Sequence, residues 1–230
     1  MAATPDPGDA TARIFLLSPA HCGGRRATAL LRPDATSALA IRLRTGTLTL
    51  GEAFSFMSGL YFRGKLAYAR RFAHDQAPGA ASFVITPTRG LQGPDVLVSV
   101  EILQEFASTN IASCDARYRA PLVRDLDALA AAPSIDARVV LLGSIATDKY
   151  VDVLAPRLGA RLYYPSAFVG RGDMSRGGLL LRSAASGIEL EYARLDPSSA
   201  RRGRRPPRLE PLGARVAGGH TSDAAPLARG

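Results

Sequence analysis

The chain has 230 residues, 47% of them hydrophobic and 21% charged, and its net charge is +9. This length and composition allow one substantial core and place the chain in the globular class. No run approaches the roughly 20 consecutive apolar residues of a membrane span, and the N-terminus shows no basic segment followed by an apolar one. We therefore expect a soluble, cytoplasmic protein without a membrane partner.

Four short apolar runs predict β-strands, and each is followed by a turn or a polar loop. Their apolar residues are continuous rather than alternating, which is typical of strands that are covered on both faces. Residues 189–193 predict a further edge strand. In chain order, the four runs occupy residues 14–17, 83–85, 139–142 and 162–164.

Helical apolar spacing lies between these runs, and two helix starts have typical first residues: Ser99 as a cap and Pro121 as a first helical residue. The alternation of strands and helices predicts an α/β fold, a three-layer domain around a central, mainly parallel sheet of four to five strands. The helical segments are 35–44, 50–57, 64–73, 100–107, 121–132, 147–158 and 175–185.

The two ends of the chain differ in composition from the body. Residues 1–11 and 197–230 are rich in small residues, Pro, Gly and Arg, and are expected to be disordered because they have little apolar surface to bury. Residues 12–196 are expected to form a single α/β domain. Residues 201–230 carry a net charge of +5, which leaves +4 for the rest of the chain, so much of the basic character belongs to the tail.

Cysteine usage gives no sign of a disulfide framework or a metal centre. Only Cys22 and Cys114 are present, so no second pair exists to complete a zinc site. We expect both to be free thiols, with Cys22 either a small buried residue or a reactive group. No metal or cofactor is predicted.

The loops that follow the strands are where a ligand is expected, because open α/β sheets bind ligands beyond the carboxyl ends of their strands. All four contain polar or charged groups and glycine or proline, and we expect them to converge on one pocket. They span residues 18–26, 86–91, 143–150 and 168–178.

The first and third loops contain candidate binding residues. His21 is a candidate for proton transfer, and Ser18 and Arg25 for anion binding, although the loop would serve equally as a simple turn. Gly143 and Ser144 follow a strand as a phosphate-binding loop does, but neither a P-loop nor a G-x-G-x-x-G pattern is present. Thr147 or Ser144 could instead cap the next helix, and Lys149 and Tyr150 follow in its first turn.

The fourth loop combines glycines with opposite charges where a helix begins, and this pattern suits an anionic ligand. Asp173 is a candidate general base or an acceptor for a nucleobase edge, with helix capping or an ion pair as its structural alternative. The candidate ligand-binding residues here are Gly170, Arg171, Gly172, Ser175 and Arg176, joined by Arg89 of the second loop.

Residues 54–72 interleave aromatic and basic side chains. Such interleaving can form a stacking groove for single strands, but the helical spacing favours rings in the core and Arg63, Lys65, Arg70 and Arg71 on the solvent face.

The order of several short motifs resembles the YaaA peroxide-stress family and a related uncharacterised domain that accompanies 7-deazaguanine modification of nucleic acids. The resemblance covers residues 13–180 and implies a compact α/β fold, loosely like uracil-DNA glycosylases, with DNA binding as the associated activity. His21 stands where the YaaA loop has Lys, and Arg89 replaces a Tyr, so no catalytic residue is carried over. The matching motifs are LSPA at 17–20, Leu60-Tyr61 with Gly64-Lys65, ITPTRGL at 85–91 and Pro94-Asp95.

These observations lead to one main hypothesis and two alternatives. The main hypothesis is a nucleic-acid-associated protein whose strand-end pocket takes a phosphate, a nucleotide or a nucleobase, so that its partner is DNA, RNA or a nucleotide-like small molecule. One alternative is an enzyme that cleaves or exchanges a glycosidic bond, with His21 or Asp173 in acid-base roles. The other is a non-catalytic scaffold whose basic tail binds a partner.

Overall fold

The computed structural model describes residues 12–73, 82–132, 137–196, 199, 203–207 and 209. The N-terminal segment 1–11, predicted to be disordered, lies outside these residues, as does most of the predicted tail from 197 onward. Residues 203–207 and 209 of that tail lie beside the last helix. Arg171, which precedes this helix, donates through Nη1 to Pro207 O at 3.5 Å.

The fold is α/β with one mixed six-stranded sheet, in the order β3-β2-β1-β4-β5-β6. Its four inner strands are parallel, whereas β3 and β6 pair antiparallel at the two edges. The expectation of four to five mainly parallel strands is therefore wrong. The missed strand, β3, has two residues and no apolar run that would reveal it. The strands are β1 Arg13–Leu17, β2 Ser82–Ile85, β3 Leu91–Gln92, β4 Arg138–Leu142, β5 Leu162–Pro165 and β6 Tyr192–Arg194.

Eight α-helices lie between the strands in the described part of the chain. The first was not predicted, and the sixth begins at Ala116 rather than at Pro121, because the Asp115 carboxylate accepts from Arg117 N and caps it five residues earlier. Ser99 caps its helix as predicted, accepting from Ile102 N. The helices are α1 Arg25–Leu31, α2 Ala38–Arg44, α3 Leu50–Ser58, α4 Leu60–Phe72, α5 Val100–Ala107, α6 Ala116–Ala131, α7 Asp148–Leu158 and α8 Asp173–Ser186.

Helices cover both faces of the sheet, which explains the continuous apolar runs. Phe15 and Leu17 of β1 pack into one core with α1 to α5 and α8, whereas Ile14 and Leu16 pack into a second core with α6 and α7. Successive strand residues point to opposite faces, so both sets must be apolar. Among the described residues, none of the helices has the length and apolarity needed to cross a membrane.

Two glycines let α4 and α8 pack in backbone contact. A Cβ on Gly64 would lie 2.6 Å from Gly177 O, and a Cβ on Gly177 would lie 2.8 Å from Leu60 O and from Tyr61 Cα. Only glycine permits this approach without moving a helix. The contact places the first turn of α8 beside Tyr61 and Lys65 of α4, at the carboxyl end of the sheet.

Candidate functional site

A cavity of about 590 Å³ opens beyond the carboxyl ends of the parallel strands, and each of the four predicted loops contributes to its wall. Leu17 pairs with Leu142, so β1 and β4 end at the same level and bring their loops side by side. Of the predicted site residues, the cavity is lined by Ser18, His21, Ser144, Lys149 and Asp173.

Two further segments line the cavity without following a strand. One is the junction of α3 and α4, with Met57, Ser58 and Tyr61, and the other is residues 106–111 at the end of α5. The rule that placed the other residues does not apply to them. The signals for the first segment were the aromatic and basic interleaving of residues 54–72 and the Leu60-Tyr61 motif of the family resemblance, whereas residues 106–111 had none.

Ser18 forms the floor of the cavity and is fixed by the neighbouring strand. Its backbone N and its Oγ both donate to Leu142 O, at 3.2 and 3.3 Å. A Cβ on Gly143 would lie 3.0 Å from Ser18 Cβ, so glycine at 143 leaves the space that this serine occupies. Gly143, which was predicted to contact a ligand, therefore contributes to the site by leaving room for Ser18.

Lys65 lies directly behind Ser18, and the expectation that it faces solvent is wrong. The residue is 1% exposed, and Nζ donates to Ser18 O and, at 2.9 Å, to Ser18 Oγ. The amine also lies 4.4 Å from the centre of the Tyr61 ring and 4.9 Å from that of Phe62. Helical spacing had suggested a polar face here, but α8 covers it through the Gly64–Gly177 contact.

Burial lowers the pKa of Lys65 from its ordinary 10.5 to about 7. Removal of the amine from water disfavours its charged form and is the largest cause. The Asp173 carboxylate opposes this effect, whereas the charges of Lys149 and Arg176 add to it. A substantial fraction of Lys65 is therefore neutral at neutral pH.

Two buried tyrosines stand at the same end of the cavity. Burial raises the pKa of both Tyr61 and Tyr150, and a hydrogen bond with the Ser18 side chain partly offsets the rise for Tyr150. The Tyr61 hydroxyl is buried, and the neighbouring Arg176 side chain lowers its pKa against the effect of burial.

Asp173 is the acidic group at the cavity rim. It is the first residue of α8, after Gly172 as the cap position, and its side chain is 68% exposed. Its carboxylate lies 3.5 Å from Arg176 Nη1, one helical turn away. Asp173 therefore forms an ion pair with Arg176, as one structural alternative predicted. It does not cap the helix, because Gly172 occupies the cap position.

His21 and Cys22 lie at the mouth of the cavity with different accessibility. His21 is exposed, and a Cβ on Gly23 would lie 3.4 Å from its ring. Cys22 is buried, its thiol donates to Ala20 O at 3.6 Å, and burial raises its pKa to about 12. Cys22 is therefore a poorly reactive thiol at neutral pH.

Several predicted ligand residues do not line this cavity. Arg176 is buried and donates through Nε and Nη2 to Phe168 O, and Arg89 pairs with Glu105 at 2.7 Å. Arg171 donates to Ala167 O and to Ser175 Oγ, and with Gly172 it lines a separate groove of about 290 Å³ beside α8. Ser175 lines the same separate groove, and the remaining predicted residues outside the cavity are Arg25, Gly143 and Gly170.

No group of three or more His, Cys, Asp and Glu side chains in the described ranges is placed to hold a metal ion. The cavity instead offers hydroxyl, amine, carboxylate and imidazole groups around a space that is open on one side.

Comparison of the chain with protein-family models, with curated proteins and with solved structures finds no match.

Proposed function

We propose that the protein binds a nucleotide or a nucleobase in this cavity, in association with nucleic acid. The main support is the convergence of polar side chains from four strand-end loops around about 590 Å³. Pockets for small ligands span roughly 300 to 1,000 Å³ and combine apolar walls with a few convergent polar groups. A nucleotide fits this range.

The lining residues match the parts of such a ligand. The Lys149 ammonium can pair with a phosphate, and the Asp173 carboxylate can accept hydrogen bonds from the amino and imino groups of a base. Ser144 adds a hydroxyl.

Charge and motif order support the association with nucleic acid. Arg171, Arg182 and Arg205 line the groove beside α8, whose first residue Asp173 also lines the cavity. A polynucleotide could thus place a base in the cavity and its phosphates over the arginines. We include in this proposal the resemblance to the YaaA family. We also include a three-layer fold that is loosely like that of uracil-DNA glycosylases.

Ligand binding can be tested with one acid-to-amide pair of variants. Nucleotides, nucleosides and nucleobases are titrated into the full chain by calorimetry, and binding also raises the melting temperature of the native protein. We expect Asp173→Asn to weaken binding of the preferred base by about 10-fold or more, because one charged hydrogen bond is worth roughly 1.5 to 3 kcal/mol. Asp152→Asn is the control, since Asp152 is exposed on α7 and lines a different groove.

The outcome also separates the remaining hypotheses. No binding of any nucleotide, nucleoside or nucleobase, or equal affinity of the two variants, would contradict the proposal. Release of a free base from a bound nucleoside, abolished by Asp173→Asn, would support the enzyme that cleaves a glycosidic bond. Binding of a partner by residues 197–230 alone, with no ligand in the cavity, would support the scaffold.

A further inference from the structure

The contact between Ser18 and Lys65 has the geometry of a nucleophile and its base. Ser18 lines the cavity, and its Oγ lies 2.9 Å from Lys65 Nζ, which is shielded from solvent behind it. A general base must stand about 2.6 to 3.2 Å from the proton it removes. The pair therefore satisfies the distance requirement, with the serine toward the ligand and the amine on the protein side.

The surroundings of Lys65 favour its neutral, proton-accepting form. Both oxygens that it contacts, Ser18 O and Ser18 Oγ, are uncharged. A neutral amine has two N–H groups and one lone pair, so it can donate to the Ser18 carbonyl and still accept a proton. The Ser18 hydroxyl donates to Leu142 O at 3.3 Å in this structure, and rotation about its Cβ–Oγ bond would turn the proton toward Lys65 Nζ. The charges that act on Lys65 are those of Asp173 and Arg176 on α8 and of Lys149 on α7, and the Tyr61 ring of α4 lies 4.4 Å from Nζ.

We propose that Ser18 and Lys65 form a catalytic nucleophile–base pair that cleaves a carboxylic ester bound in the cavity. The proposal uses the cavity of the proposed function and adds to it a reaction and a substrate class, an acyl ester of a nucleotide-sized alcohol.

The reaction balances with water as the co-reactant. Ser18 Oγ attacks the acyl carbon while its proton passes to Lys65 Nζ, the bond between the acyl carbon and the alcohol oxygen breaks, and the alcohol leaves with that proton. Water then attacks the acyl-serine, again giving a proton to Lys65, and the carboxylic acid leaves as Ser18 recovers its proton.

The cavity also holds a donor that can stabilise the negative oxygen of the intermediate. The Lys149 side chain lines the wall, and its ammonium is such a donor. Donors that are fixed before the reaction stabilise a developing oxyanion most effectively.

The test is covalent labelling of the full chain by a fluorophosphonate probe, with the modified residue located by peptide mass spectrometry, together with release of p-nitrophenol from p-nitrophenyl acetate. We expect one adduct, on Ser18, and none on Ser18 in the Ser18→Ala variant. Lys65→Met should slow labelling by about 100-fold or more, which is the usual contribution of a general base. Arg70→Met is the matched control, because Arg70 is an exposed cation on the same helix.

The pH dependence of wild-type labelling gives a second readout that needs no variant. The labelling rate should rise through about pH 7 as Lys65 loses its proton. Absence of an adduct between pH 6 and 9, an adduct on another residue, or equal rates for wild type and a folded Lys65→Met variant would overturn the proposal. Labelling without nucleotide binding would reject only the proposed ligand, whereas nucleotide binding without labelling would reject only the reaction.

Discussion

At the residue scale, Lys65 shows how burial changes the chemistry of a side chain. The sequence places it with Arg63, Arg70 and Arg71 on the polar face of an amphipathic helix, where a lysine is expected to reach solvent. Instead it is enclosed by Ser18, Tyr61 and Phe62, and its pKa falls to about 7 because desolvation outweighs the attraction of Asp173. One buried amine therefore couples the stability of the fold to pH.

The stability of the protein should rise with pH from about pH 7 to 8.5. In this range the unfolded chain keeps the Lys65 proton, with an ordinary pKa of 10.5, whereas the folded protein loses it near pH 7. The unfolded state thus binds more protons, and the free energy of unfolding increases by at most about 1.4 kcal/mol per pH unit. Urea unfolding measured across this range tests the slope.

Lys65→Met should lose this slope and should be at least as stable as wild type at pH 7, because it removes a buried amine of similar volume. Arg70→Met should retain it. The range stops below pH 9 because the raised pKa of Cys22, about 12, acts in the opposite direction at higher pH. A slope that is identical in wild type and Lys65→Met would show that Lys65 is not the titrating group.

At the element scale, the close packing of α4 and α8 positions the site. Gly64 and Gly177 bring the two backbones together, and α8 in turn brings Asp173 to the cavity rim and covers Lys65. In the sequence, the glycines at 177 and 178 look alike, and they fall both in the predicted ligand loop 168–178 and in the predicted helix 175–185. Both lie within α8, and only Gly177 faces the α4 backbone.

Substitution of these neighbouring glycines should therefore have opposite effects. Gly177→Ala would place Cβ 2.8 Å from Leu60 O, so the helices must separate, and we expect a loss of about 1 to 3 kcal/mol in the free energy of unfolding. Gly178→Ala meets only Leu209 Cδ1 at 3.5 Å and should gain up to about 1 kcal/mol from helix propensity. Chemical denaturation of both variants measures the difference, and equal effects would contradict this account of the helix contact.

At the scale of the whole molecule, basic residues from distant parts of the chain meet beside the cavity. Arg205, from the C-terminal segment, lines the same groove as Arg171 and Arg182 of the domain. The net charge of +9 thus includes a local cluster next to the proposed ligand site.

Binding of duplex or single-stranded DNA should weaken steeply with salt, because each phosphate contact releases counterions. Arg205→Ala should reduce the slope of log affinity against log salt by about 1. Arg32→Ala should leave the slope unchanged, since Arg32 is exposed between α1 and α2 and already pairs with Asp34 at 2.6 Å. Fluorescence anisotropy at several salt concentrations measures the slope for both variants. An unchanged slope for Arg205→Ala would show that this groove does not contact DNA.

The sequence by itself determined the elements with strong local signals. The four inner strands follow from their apolar runs, and the edge strand predicted at 189–193 is present at 192–194. The rule that ligands bind beyond strand ends placed Ser18, His21, Ser144, Lys149 and Asp173 around one cavity, but it also grouped with them residues that lie outside it, such as Arg89 and Arg176. These features depend on neighbours in the chain and on the common direction of parallel strands, both of which are readable from a linear sequence.

Tertiary structure decided which charges are buried and which side chains face each other. Arg176 and Lys65 both looked solvent-accessible, yet the contact between α4 and α8 encloses them, and the two-residue strand β3 exists only because β2 offers it a pairing edge. Burial depends on what a distant segment brings to a surface, and no local pattern records it. For the same reason the Ser18–Lys65 contact, across 47 positions of sequence, is visible only in the folded molecule.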